Sequence, residues 1–127
     1  MTNDDCNIRL LPGAEKSLGK IARLDAERLG SIEDTMAHVV ENGWILSVHS
    51  GLIKVLDQRR HIGEIRDLGG GYRLFFFWRT GRRGRRLYIT AIEKKSKLKG
   101  KARLNAFIDA AYALRRRYFG EPEGRDE

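Results

Sequence analysis

Three observations predict an α+β fold for this chain of 127 residues. Apolar residues recur at helical spacing near both ends of the chain. Between them lie three short runs rich in β-branched and aromatic residues. Glycine-bearing links of hairpin length, GGG at 69–71 and TGRRGRR at 80–86, join those runs. Two N-terminal helices, a three- to four-stranded antiparallel sheet and a C-terminal helix follow from this order.

The elements are justified in turn. Asn7–Leu11 has the composition of a short first strand, stopped by Pro12-Gly13. Ala14, Leu18, Ile21, Ala22 and Leu29 form a helical stripe, which Gly30 is expected to end. Ser31 then reads as the N-cap of a second helix, with Asp34 three residues on. Ile32, Met36, Val39 and Val40 give that helix its buried face, and Asn42-Gly43 is its stop. Such spacing predicts packing rather than a cofactor pocket. Residues 44–60 read as irregular. The strands are Ile62–Asp67, Tyr72–Trp78 and Leu87–Glu93. Leu104, Phe107, Ile108, Ala111, Leu114 and Tyr118 place the last helix at about residues 101–118. One domain spanning 1–120 is expected, with 121–127 as a disordered tail.

Composition narrows the function. Hydrophobic residues make up 41% and charged residues 33%, an ordinary globular balance. A single cysteine, Cys6, excludes a disulfide framework and a cysteine metal site. The amino end lacks the apolar core of a signal peptide, and no apolar run is long enough to span a bilayer. A soluble cytoplasmic protein without membrane partners is the expectation. The net charge of +8 is unevenly spread. Residues 1–58 hold 6 Lys and Arg against 9 Asp and Glu, whereas residues 59–127 hold 19 against 8. That asymmetry reads as the electrostatic footprint of a nucleic-acid partner, ahead of an anionic membrane surface, for which no basic amphipathic helix with bulky apolar anchors stands out.

Period-two alternation sorts the strand faces. Glu64 and Arg66 share a face with Ile62. Tyr72, Leu74, Phe76 and Trp78 oppose Arg73, Phe75 and Phe77. Tyr88, Thr90, Ile92 and Lys94 oppose Leu87, Ile89, Ala91 and Glu93. Arg73 therefore sits among apolar neighbours and needs an anion, either the carboxylate of Glu64 or Asp67 or a ligand phosphate. Lys94 and Lys95 open KKSKLKGKAR, in which Lys97, Lys99 and Lys101 add further cations, while Arg82, Arg83, Arg85 and Arg86 crowd the second hairpin. Singly these are surface charges. Together they would attract a phosphate backbone with little sequence information. Arg115–Arg117 either extend that patch or complement the dipole of the last helix. Among the histidines, His38 and His49 read as structural, and His61 is a possible acid or base beside the first strand. No HExxH, CxxC, P-loop or Ser-His-Asp pattern occurs, so neither a metal nor another cofactor is expected.

Taken in order, Gly43, Leu56, Glu64-Ile65-Arg66, Tyr72-Arg73 and Lys94-Lys95 resemble the RelE/HigB-like toxin superfamily, especially its HigB-like, phage-derived branch. The resemblance covers residues from about 35 to 118 and implies a RelE-like fold. It also implies a toxin of a type II toxin–antitoxin pair, a metal-independent mRNA endoribonuclease associated with the ribosome. In such an enzyme the ribose 2′-OH attacks the adjacent phosphate. Motif matching would give Arg73 the stabilisation of the transition state and Arg66 a grip on the phosphate. Lys94 or Lys95 would hold the scissile phosphate or protonate the leaving oxygen. Glu64 would act as base or orient Arg66 or Arg73. A cognate antitoxin, often of helix-turn-helix type, would be the protein partner. The chain departs from the pattern at Thr90-Ala91-Ile92-Glu93, where many relatives carry His or Tyr, and in lacking a proline after Lys95. Two other readings remain open: a ParE-like toxin that inhibits gyrase, and a non-catalytic, basic, phage-derived nucleic-acid-binding protein.

Overall fold

The computed structural model describes residues 4–120. The expected tail, 121–127, lies outside the described residues. Five strands form one mixed sheet flanked by helices: β1 (Asp5–Leu10), α1 (Pro12–Leu24), α2 (Ala26–His49), β2 (Ile53–Asp57), β3 (Ile62–Arg66), β4 (Tyr72–Gly81), β5 (Gly84–Lys94) and α3 (Lys101–Phe119). The strand order is β1-β5-β4-β3-β2. The α+β class is as expected, but the sheet is larger than three or four strands and is not wholly antiparallel. β1 joins the far edge parallel to β5, from Asp5 opposite Gly84 to Leu10 opposite Ile89. β2 comes from the segment read as irregular and pairs with β3. Its five residues were too few to show a period.

The helices also divide differently. The break falls at Asp25, not at Gly30. Asp25 leaves the helical region, with φ −157° and ψ 75°, and its carboxylate accepts the Arg28 N–H at 3.3 Å, capping α2. Pro12 opens α1, where its missing N–H costs nothing. Gly30 lies within α2 on an exposed turn. Ser31 is no cap; its hydroxyl donates to Asp67 Oδ1 at 2.7 Å. The predicted stop at Gly43 is a break, with φ 82° and ψ −179°, after which helical turns resume through His49. Asp4 holds that break from outside. Its carbonyl accepts the Trp44 N–H at 2.9 Å and its carboxylate the Ile45 N–H at 2.7 Å. A Cβ on Gly43 would lie 2.5 Å from Asp4 Oδ2.

Both faces of the sheet are covered. On one, α1 and α2 bury Ala14, Ile21, Ile32 and Val39 against Ile65, Leu74, Phe76 and Ile89. Trp44 stands at the end of this core, 4.8 Å from the Trp78 ring. On the other face, α3 brings Ile108 and Ala111 against Ile62, Phe77 and Tyr88. Phe107 stacks on Phe75 at 5.0 Å. The alternation expected for β4 therefore holds. That of β5 does not. Phe75 pairs with Ala91 but Phe76 pairs with Ile89, so Thr90 is an extra residue in the strand. This β-bulge resets the alternation, putting Ile92 in the same core as Leu87 and Ile89. The Thr90 hydroxyl donates to the Phe75 carbonyl at 3.2 Å and so fixes the bulge.

No described helix is long and apolar enough to cross a membrane. Cys6 is 3% exposed within the first core. Burial, and then the Asp4 carboxylate, push its thiol from 9.0 up to about 11. The unfolded thiol therefore ionises first as pH rises. The stability from keeping it buried is complete below pH 9 and is lost towards pH 11, on the order of 2 kcal/mol. Denaturant melts of wild type and Cys6→Ala should thus show the variant less stable at pH 8 and the gap closing by pH 11. A gap that stays constant with pH would contradict this account.

Gly43 gives a second prediction. Gly43→Ala forces a side chain into the left-handed region and against Asp4, and should lower stability by more than about 1 kcal/mol. A melting temperature equal to wild type would show that Asp4 does not hold the break.

Candidate active site

The ends of β3, β4 and β5 nearest Arg66, Tyr72 and Lys94 form the floor of a groove of about 790 Å³. α2 supplies Arg28 to its wall and α3 supplies Leu104. The register explains the floor. Arg66 pairs with Arg73 and Arg73 with Glu93 across adjacent strands, and Glu64 lies one step back on the same face. Two guanidiniums directly opposite each other repel. Glu64 offsets the repulsion: its Oε2 lies 3.2 Å from Arg73 Nε and 3.6 Å from Arg66 Nε. The Glu64 and Arg73 side chains are 8% and 11% exposed, while Arg66 is 45% exposed. Arg73 is further held by donation from Nη1 to the Tyr72 carbonyl at 3.1 Å. Of the two carboxylates expected to compete for Arg73, the partner is Glu64. Asp67 instead accepts from Ser31 and from Thr35 and anchors the β3–β4 turn.

Lys94, Lys95 and Lys99 complete the rim, with Ser96 between them on a single 3-10 turn, Lys95–Lys97. Six cationic side chains thus face two carboxylates, Asp25 and Glu64, in one groove. Such a surplus in a concave, partly desolvated site attracts a multiply charged oxyanion. The forked guanidinium of Arg73 has five N–H donors, and among the described residues its polar contacts engage Nε and Nη1. Tyr72 closes the groove beside Lys94. Burial, and then the Asp25 carboxylate, raise its phenol above the ordinary value, so it stays protonated at neutral pH.

Among the residues singled out by sequence, Glu64, Arg66, Arg73, Lys94, Lys95 and Lys99 come together here. Lys97 lines an adjoining pocket, and Lys101 is exposed at the start of α3. The hairpin arginines lie elsewhere. β4 runs nine steps from Tyr72 to Gly81, so the hairpin is about 30 Å from the groove. There Arg82, Arg83, Arg85 and Arg86 line a separate groove of about 650 Å³. Arg85 packs 4.5 Å over the Trp44 ring, and Arg86 Nε donates to Asn7 Oδ1 at 3.1 Å. Arg115 is 1% exposed and lies over Phe119, so it does not extend the surface patch. His61 sits in the β2–β3 turn at φ 58°, its ring stacked 4.7 Å from that of Trp78. Five steps of β3 put it about 17 Å from Arg66. Among the described residues, no group of three or more His, Cys, Asp or Glu is placed to hold a metal ion.

Arg28 and Asp25 were missed by sequence reading. Arg28 reaches the groove because its Nη1 donates to the Gly69 carbonyl at 2.9 Å. No spacing rule links residues so far apart; only the GGG turn hinted that another group approaches closely there.

The pair on the groove floor is testable by a double-mutant cycle. Arg73→Ala leaves a buried carboxylate with one exposed partner and should cost about 2 kcal/mol. Glu64→Gln in the same chain should recover at least half of that. Additive losses, measured by chemical denaturation, would show that the two side chains are not coupled. In comparison with known proteins, no family model, no curated protein and no solved structure matches this chain.

Proposed function

We propose that the groove binds and cleaves RNA, and that the protein is a RelE/HigB-like toxin of a type II toxin–antitoxin pair. The observation that carries the reading is Arg73, fixed by the buried Glu64 at the floor of a groove with six cations. The Glu-x-Arg, Tyr-Arg and Lys-Lys motifs that resemble the family meet at that place.

In the proposed reaction the 2′-hydroxyl loses its proton to water and its oxygen bonds to the adjacent phosphorus. The P–O5′ bond breaks, and a lysine ammonium, Lys94 or Lys95, gives a proton to the leaving oxygen. The products are a 2′,3′-cyclic phosphate and a 5′-hydroxyl. Arg73 and Arg66 stabilise the charge that grows on the phosphoryl oxygens, and Arg28 and Lys99 hold the flanking backbone. Glu64, occupied by two guanidiniums, positions them rather than acting as base. Messenger RNA, engaged at the ribosome, is the substrate on this reading, and an acidic segment of a cognate antitoxin would cover the same cations.

His61 favours a second reading. Among the described residues, no histidine lines the groove, and His61 stacks on Trp78 instead. A non-catalytic nucleic-acid-binding protein would use the same cations without a proton-transfer group.

One experiment separates the two: induced expression of wild type and of Arg73→Lys in a bacterium, with primer extension on cellular mRNA. Arg73→Lys keeps the charge but loses the fork. The toxin reading expects growth arrest and new cuts in translated messages, both reduced at least tenfold in the variant and relieved by co-expression of the antitoxin. Salt-sensitive RNA binding with no cuts and no arrest would establish the second reading.

A further inference from the structure

At the hairpin end of the sheet, Arg79 of β4 pairs with Arg86 of β5, a second pair of arginines directly opposite each other. Like charges so placed repel. Two of their contacts hold them without cancelling charge. Arg86 Nε donates to the neutral amide oxygen of Asn7 at 3.1 Å, and the Arg79 guanidinium lies 4.3 Å from the centroid of the Phe119 ring. Arg82 and Arg83 follow in the exposed turn, and with Arg85 these arginines line the groove of about 650 Å³. Asp5 supplies the one carboxylate among the described residues that line it. Tyr88 also lines the groove, and its ring packs 4.9 Å from that of Tyr118. Tyr118 is 44% exposed, the only aromatic among the exposed large apolar side chains described. Its hydroxyl accepts from Arg9 Nη1 at 3.3 Å, which steadies the ring and sets a further cation beside it.

We infer that the hairpin groove and Tyr118 form a second RNA-binding surface, which holds a single-stranded stretch away from the cleaved linkage. Phosphates lie against the arginines, and a base stacks on Tyr118. The inference rests on the RNA reading of the groove at Arg73 and extends it to a site about 30 Å away. A cationic groove bordered by an exposed aromatic ring is how proteins hold single strands, because every base has a face to stack. Forked guanidiniums match phosphate oxygens two at a time. A duplex keeps its base faces stacked inside and would leave Tyr118 idle. An acidic protein segment would pair with the arginines, but a ring held beside them offers nothing to a carboxylate. Backbone contacts and stacking carry little sequence information, so this surface adds affinity and leaves base choice to the other groove.

The test uses the full chain and a 2′-O-methyl RNA oligomer long enough to span both grooves, which binds but cannot be cleaved because the attacking hydroxyl is blocked. The oligomer is titrated as a single strand and annealed to its complement, at several salt concentrations. Tyr118→Leu should weaken the single strand about tenfold, the loss of one stacked base, and leave the duplex unchanged. Tyr118→Phe keeps the ring and should bind like wild type. Arg82→Gln combined with Arg83→Gln should lower the slope of log affinity against log salt by about 1.4. Thermal melts check that the variants are folded. A Tyr118→Leu variant that binds the single strand normally, or a salt slope unchanged by the paired substitution, would overturn the second surface. So would hairpin variants that bind RNA like wild type but lose a protein partner. Arg73→Lys reports separately on the first groove. If it weakens binding while the hairpin variants do not, only the second surface falls. If the wild-type chain binds no RNA, the RNA reading of both grooves falls.

Discussion

A buried carboxylate between two arginines sets the character of this molecule. Without Glu64, Arg66 and Arg73 would face each other across β3 and β4 as like charges on the half-covered end of a sheet. With it, Arg73 is fixed at 11% exposure and the more exposed Arg66 is held nearby. The carboxylate neutralises only part of the local charge, so the groove keeps its cationic surplus. Pair and groove are therefore one feature: the contact that makes the arginines tolerable in the fold also aims them. A lysine in place of Arg73 would supply charge but not a rigid fork held through Nε and Nη1 with Nη2 left to face an anion.

The bulge at Thr90 has comparable reach. A regular β5 would put Ile92 and Lys94 on the face of Tyr88, towards α3. The extra residue returns them to the α1 face, where Ile92 completes the first core and Lys94 stands beside Tyr72. It also leaves Glu93 directly opposite Arg73. One inserted residue thus decides which side chains meet at the groove and which meet in the neighbouring pocket.

Much of this was legible in the sequence. The aromatic run of β4, the glycine-bounded hairpins and the stripe of α3 specify local geometry strongly, and the structure follows them. The Glu64, Arg66 and Arg73 cluster was also visible, because period-two alternation and hairpin lengths bring β3 and β4 together in only a few ways. Other features left no local trace. The extra residue at Thr90 has ordinary strand composition. Asp25 outcompeted Gly30 and Ser31 as the helix boundary because Arg28 offers its N–H there and Ser31 is drawn to Asp67. β1 was expected as a strand, but its parallel pairing with β5 depends on tertiary closeness alone. The four arginines of the second hairpin and the three lysines that follow Lys95 looked like one footprint in the sequence. The length of β4 and β5 separates them into two ends of a ribbon.

The parallel pairing of β1 with β5 bears on the order in which the chain can fold as it is synthesised. The first strand waits for a partner roughly 80 residues downstream, a contact of high loop-closure cost. α1, α2 and the β2–β4 meander can form earlier, but Lys94, Lys95 and Leu104 are among the later residues made. The cationic groove therefore assembles only after Leu104 has emerged, and a nascent chain interrupted before that point would display its arginines without the geometry that organises them.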